Sequence, residues 1–159
     1  MTTTQAAATD RDFWYMGALL HMRALASDTG GAYSIVEEHL PQGFAPPFHR
    51  HENEDEAFLV LEGELTFWND ETRSSAGPGS FVMLPRGLEH TWRVDSPTAR
   101  VLNILSPAGF ERFFMDAGEP ARELAMPPAL NGPPDVERLA HISAEYQVEI
   151  TGPPPGPEA

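Results

Sequence analysis

Before Ser106, apolar and polar positions alternate in short runs rather than recurring at helical spacing. FWYMG and ALLHMRALA (13–26) lead into the turn SDTGG (27–31), and AYSIVEEHL (32–40) follows it. EAFLVLEG and ELTFW come next, bent at Gly63, with NDE (69–71) as a hairpin turn. SFVMLP (80–85), HTWRV (90–94) and ARVLNIL (99–105) are separated by PRGLE and DSPT. These are about eight β-branched and aromatic segments at regular spacing, which predicts a closed barrel or a sandwich. After Ser106 the period changes. Pro107 suits a first helical turn, Phe110, Phe113 and Phe114 fall at helical spacing, and Gly118 can close the helix. A second helix is expected from Asp135, an N-cap, with Val136, Leu139, Ala140 and Ser143 on one face. MPPALNGPP between them reads as a linker, and GPPPGPEA as a frayed tail. The expected plan is a disordered segment (1–10), a barrel with its first flanking helix (11–118), a linker and packed helix (119–150) and a Pro-rich tail (151–159).

Charge narrows the set of partners. The 159 residues carry 24 Asp and Glu against 10 basic residues, all Arg, for a formal charge of −14. Such a field repels nucleic acid and anionic lipid, and no apolar run approaches the length of a membrane span. With no cysteine, disulfides and thiolate metal sites are excluded, so any metal must use nitrogen and oxygen ligands. MTTTQAAATD has no apolar run that would make a signal peptide, and a cytoplasmic protein is the expectation.

The acidic stretch GFAPPFHRHENEDEAFLVLEG (43–63) contains the chemistry. Side chains two apart on a strand share a face, so His49 and His51 form a chelating pair. Glu52, Glu54, Asp55 and Glu56 compete for a third ligand position. Glu56 is the best candidate because it opens the next apolar strand, while the others belong to a turn that should face water. His90, opening the strand after a Pro-Arg-Gly turn, is placed to supply a fourth. Phe58 and Val60 share parity with Glu56, and Trp92 with His90, so these three are expected to line a pocket. His21, His39 and His141 have no such spacing and read as structural or surface groups; Glu37 and Glu38 read as strand-edge solvation, one of them able to reach a cavity. Phe110, Phe113 and Phe114 are expected to pack on the sheets rather than form a lid. Arg93 has opposite parity to His90, so no anion clamp is evident.

At this point the sequence resembles the cupin superfamily. Gly43, His49, His51, Glu56 and Gly63 fit its first motif, and Gly79, Pro85, Gly87 and His90 its second. That spacing selects Glu56 among the carboxylates. One departure is Val94, where the second motif commonly has Asn. The resemblance implies an all-β fold, a small cupin β-barrel (double-stranded β-helix or jelly roll) with short C-terminal helices. The single domain looks most like the quercetin 2,3-dioxygenase-like group. By resemblance, His49, His51, Glu56 and His90 would hold one divalent transition metal (Ni, Mn, Fe or Co, with Zn possible). Glu56 would double as a general base, its carboxyl raised by an apolar pocket. The implied activity is oxidative cleavage of a flavonol, or a similar enolic aromatic, by O2 with release of carbon monoxide. The alternatives are a non-oxidative cupin (isomerase, cyclase or lyase on a small enolisable molecule) and a ligand-binding cupin without turnover. A homodimer is expected by analogy, and a transcriptional sensor is not, since no helix-turn-helix accompanies the domain.

Overall fold

The computed structural model describes residues 6–70 and 72–159. In chain order the elements are β1 (Asp12–Tyr15), β2 (Ala18–Ala24), α1 (Ala26–Thr29), β3 (Ser34–Pro41), β4 (Phe48–His51), β5 (Asp55–Glu62) and β6 (Leu65–Asn69). There follow β7 (Thr72–Ala76), β8 (Phe81–Leu84), β9 (His90–Val94), β10 (Thr98–Ser106), α2 (Glu111–Ala117), β11 (Glu119–Pro120), α3 (Val136–Glu145) and β12 (Val148–Gly152). They form two antiparallel sheets. The larger has the order β11-β1-β2-β3-β10-β5-β8, and the smaller β12-β4-β9-β6-β7.

The sheets pack against each other through the alternating positions. In β3, Ser34, Val36, Glu38 and Leu40 are buried, and in β10, Ala99, Val101, Asn103 and Leu105 are. Phe58 of the larger sheet meets Phe67 and Trp92 of the smaller at centroid distances of 5.4 and 5.3 Å. Burying such rings supplies the main favourable free energy of the fold.

The closed jelly-roll barrel is not formed, and the chain is not all-β. No backbone ladder joins the two sheets among the described residues, so each keeps its own edges, and three helices accompany the strands. The physical reason lies in the crossings between sheets. They run through turns rich in Gly and Pro, such as 42–47, Gly63–Glu64 and 85–89, which carry the chain across without a shared ladder. Gly63 shows why such a turn is specific: its φ is +91°, and a Cβ there would lie 2.6 Å from the Thr98 carbonyl oxygen.

α2 begins at Glu111, four residues beyond Pro107, and its C-cap is Gly118. α3 is capped by Asp135, whose side chain accepts from the Arg138 amide. Its inward face consists of Ile142, Ser143 and the half-buried Leu139, whereas Val136 and Ala140 are exposed. Glu111 is buried with both oxygens satisfied, accepting from the Ala26 amide at 3.0 Å and the Gly109 amide at 2.6 Å. The tail expected to fray accepts hydrogen bonds from Arg93, at 2.7 Å to the Gly156 carbonyl and 3.0 Å to that of Ala159. The β6–β7 hairpin has Asp70 at a φ of 52°; the turn residue Glu71 and the first half of the expected N-terminal disorder (1–5) lie outside the described residues.

Candidate metal centre

Strand β4 turns Phe48 and Arg50 outward and buries His49 and His51. Antiparallel pairing sets His49 directly against His90 of β9, with ring centroids 4.4 Å apart. His51 is 5.0 Å from His49, and its ring is parallel to that of His90 at 5.4 Å. Across the gap between sheets, Glu56 of β5 faces all three. Its Oε2 is 3.4 Å from His51 Nε2, and its Oε1 is 3.7 Å from His90 Nε2. One ligand atom from each of the four lies within 4.8 Å of the others, and the four residues are at most 8% exposed. Three imidazoles thus come from the smaller sheet and one carboxylate from the larger.

The donor set fits a divalent first-row cation. His49 Nδ1 lies 2.7 Å from the Pro47 carbonyl oxygen and His90 Nδ1 3.3 Å from that of Leu88, so each ring donates outward and leaves Nε2 for the centre. Nε2 of His51 and of His90 has no hydrogen-bond partner although buried. Burial, then the neighbouring His90 and His51, push His49 down to about 3, so it is neutral as a ligand must be.

The Glu56 carboxyl behaves opposite to expectation. Burial alone raises it, but His51, His90 and His49 outweigh that and hold it at about 2. The residue whose carboxyl is raised is Glu38, pushed up to about 8 by burial and by Glu56, against a hydrogen bond from Asn103. Glu54 also departs from the solvated turn assigned to it. It is 3% exposed, with Oε1 3.3 Å from His51 Nδ1, an ion-pair distance. Asp55 does stay at the surface, paired with Arg86 at 3.2 Å.

A narrow cavity of about 80 Å³ ends on His49 and Glu56. Its walls are Tyr15, Phe44, Trp92, Phe110, Phe113 and Phe114, and its other polar lining includes Glu38 and Asn103. The three phenylalanines of the α2 region both pack and line: Phe113 and Phe114 lie 5.8 and 5.4 Å from Tyr15, and Phe110 lies 4.6 Å from His51. Of the residues expected to line the pocket, Trp92 does. Phe58 and Val60 sit in the packed core and are not among the lining residues. The cavity shares Tyr15, Phe44, Pro46, Pro47, Leu139 and Ile150 with a wider apolar groove of about 740 Å³. Val94, at the position of the missing Asn, is a core residue at 1% exposure.

On the outer face of the larger sheet, the structure also brings together His21, Glu37 and His39, which sequence spacing did not connect. The link is cross-strand register, His21 opposite Glu37. These groups already have partners: His21 Nδ1 is 2.5 Å from Asp12, and Glu37 pairs with His39 at 2.9 Å and Arg23 at 3.2 Å. Residue 141 remains a surface position.

Residues 36–105 match the family described as Cupin domain. The chain is 17% identical to KdgF of Halomonas sp., with a TM-score of 0.58 over 67% of this chain and 99% of that one. A mutant of Bacillus subtilis oxalate decarboxylase OxdC gives a TM-score of 0.56 at 16% identity, over 69% of this chain and 32% of that one. At these identities the likeness concerns the fold. Among curated proteins, the chain is 34% identical over 97 residues to the quercetin 2,3-dioxygenase of Bacillus subtilis (strain 168), covering 61% of this chain and 29% of that one. The quercetin 2,3-dioxygenase of Aspergillus japonicus is 25% identical over 129 residues, 68% of this chain and 36% of that one. The chain therefore spans about a third of the length of those relatives. None of its described helices is long and apolar enough to cross a membrane.

Proposed function

We propose that this cupin is a metal-dependent oxygenase of the quercetinase type, cleaving a flavonol or similar enolic aromatic with O2. The observation that carries the reading is the aromatic cavity ending on His49 and Glu56 of the buried His49–His51–Glu56–His90 cluster and continuing into an apolar groove. A flat substrate can thread its reacting ring into the narrow part and leave its remaining ring in the wider one. The two quercetin 2,3-dioxygenases among its relatives favour the same substrate class.

His49, His51, Glu56 and His90 would hold one divalent ion (Ni, Mn, Fe or Co, with Zn also suited to the donors), which supplies Lewis acidity toward the substrate's enolic hydroxyl. Glu56 is ionised, and a carboxylate oxygen not engaged as a ligand can accept the hydroxyl proton. Phe44, Trp92 and Phe110 orient the ring and exclude water from the reacting face. Two copies of the chain are expected to pair, which sedimentation equilibrium would test.

Aerobic incubation of each metal-reconstituted form with quercetin, following loss of visible absorbance and oxygen uptake, tests the oxygenase. Turnover by none of them sinks it. Glu56→Gln should remove turnover while metal content persists, and full activity would take the proton-accepting role from Glu56. One observation favours a second reading: the inner cavity of about 80 Å³ suits a small enolisable molecule, as in non-oxidative isomerase, cyclase or lyase chemistry. Equal turnover without oxygen would select that reading.

A further inference from the structure

Two polar side chains in the cavity take no part in the four-residue cluster. Glu38 falls between Val36 and Leu40 in the inward set of β3, and Asn103 between Val101 and Leu105 in that of β10. Asn103 lies opposite Val36 on one side and Phe58 on the other, so Glu38 and Glu56 are its diagonal neighbours on the flanking strands. Diagonal neighbours on one face are about 7–8 Å apart, close enough for one small ring to span. Glu38 and Asn103 are each 2% exposed. Asn103 Nδ2 donates to Glu38 Oε1 over a long 3.4 Å, and both Glu38 Oε2 and Asn103 Oδ1 lack a partner. Buried oxygens without partners destabilise a fold, and two together in an aromatic cavity are unusual. The nearby walls are flat: Phe44 stacks on Trp92 at 5.3 Å and 21°, and Phe110 on Phe113 at 4.9 Å and 10°.

We propose that Glu38 and Asn103 form a second anchoring point in this cavity, one that binds a hydroxyl of a flat aromatic ligand whose other end faces His49 and Glu56. A hydroxyl both donates and accepts, so it can give its hydrogen to Asn103 Oδ1 and meet the Glu38 carboxyl with its lone pairs. A methyl group or an ether has no hydrogen to give. With its carboxyl pushed up to about 8, Glu38 is a donor at neutral pH, which suits the accepting side of the same hydroxyl. The inference rests on the cavity being the substrate site of the reading above, but not on O2 or on turnover.

Phenol and toluene isolate the effect, because they differ by one hydroxyl on the same ring and an apolar cavity by itself prefers toluene. On the full chain with its metal bound, ligand-observed NMR titration should give phenol at least tenfold tighter binding than toluene. Asn103→Leu and Glu38→Met should each bring the two within about twofold, with an unchanged or higher melting temperature. Equal affinities in the wild type, binding of neither ring, or a phenol preference that survives Asn103→Leu would overturn the proposal; the last would mean the hydroxyl meets the metal instead. Should Glu38→Met fold poorly, the nearly isosteric Asn103→Leu decides alone. Failure to turn over quercetin with the phenol preference intact would sink the oxygenase reading and leave this anchoring point standing.

Discussion

Glu54 and Glu56 stand two residues apart and both point inward, yet they serve different ends of one imidazole. Glu56 reaches His51 Nε2 and Glu54 its Nδ1, at 3.4 and 3.3 Å. Glu54→Gln should therefore keep the donor set but weaken its hold, lowering divalent-metal affinity about tenfold in a chelator-competition titration. Saturating metal should raise the wild-type melting temperature by about 5–10 °C at a hundredfold excess over Kd, a shift that His90→Ala should abolish. Glu38 carries a pH dependence above pH 6.5. Its ordinary value is 4.5 and burial with Glu56 takes it to about 8, so the native state keeps a proton that the unfolded chain has lost. The unfolded state then binds fewer protons, and stability falls as pH rises between those values, by at most about 1.4 kcal/mol per unit. Below pH 6.5 the depressed His49 acts in the opposite sense, because the unfolded chain takes up a proton there that the native state does not. Urea denaturation of the metal-free protein should therefore show the loss between pH 6.5 and 8, and Glu38→Gln should reduce it; parallel curves over that interval would remove Glu38 from the account. The four-residue cluster was legible in the sequence because strand parity is local: 49, 51 and 56 need only the alternation and one turn. The same parity already paired Glu54 with Glu56, and Val36 and Leu40 with Glu38. What it could not supply was that a carboxylate between Val36 and Leu40 is held inside, because that depends on the cavity and on Asn103 of a strand distant in sequence.

At the level of strands and helices, the sequence conveys the elements better than their joints. Segments 13–26, 32–40, 80–85, 90–94 and 99–105 became strands because β-branched and aromatic residues alternate there. β7 (TRSSA) and β12 (VEITG) carry too few apolar residues to stand out; β7 forms by pairing with the richer β6, and β12 by pairing with β4. The absence of barrel closure among the described residues has a related reason. Alternation specifies a buried face, whereas closure depends on edge-to-edge pairing between strands distant in sequence, which the Gly and Pro turns interrupt. Those turns are where single substitutions should cost most. Gly63→Ala adds a Cβ at a φ of +91° within 2.8 Å of Ala99 Cα and should destabilise by about 2 kcal/mol or more in urea denaturation. Asp135→Ala removes only a helix cap and should cost about 1 kcal/mol. Because Leu139 and Ser143 of that helix line the cavity, hydrogen exchange there should quicken more than in β5.

For the whole molecule, the charge of −14 sets how a cation would approach the cluster. Much of the arginine is already spent on local partners: Arg11 on Asp28, Arg86 on Asp55, Arg93 on Asp95 and Arg100 on Glu62. All but the buried Arg93 sit in exposed pairs that neutralise charge locally and add little stability, and the surplus carboxylates repel one another over the surface. Raising ionic strength from 10 to 100 mM shortens the screening length from about 30 to about 10 Å. Repulsion weakens, so the metal-free protein should melt a few degrees higher in the saltier buffer. The same field draws divalent ions toward the cluster, and screening removes that attraction as well. Stopped-flow association of Co2+ should slow several-fold across this range while dissociation changes little, because interactions within a buried cluster are screened far less than the approach over the surface. A rate insensitive to salt would mean that opening of the α2 and α3 walls, rather than encounter with the acidic surface, limits entry.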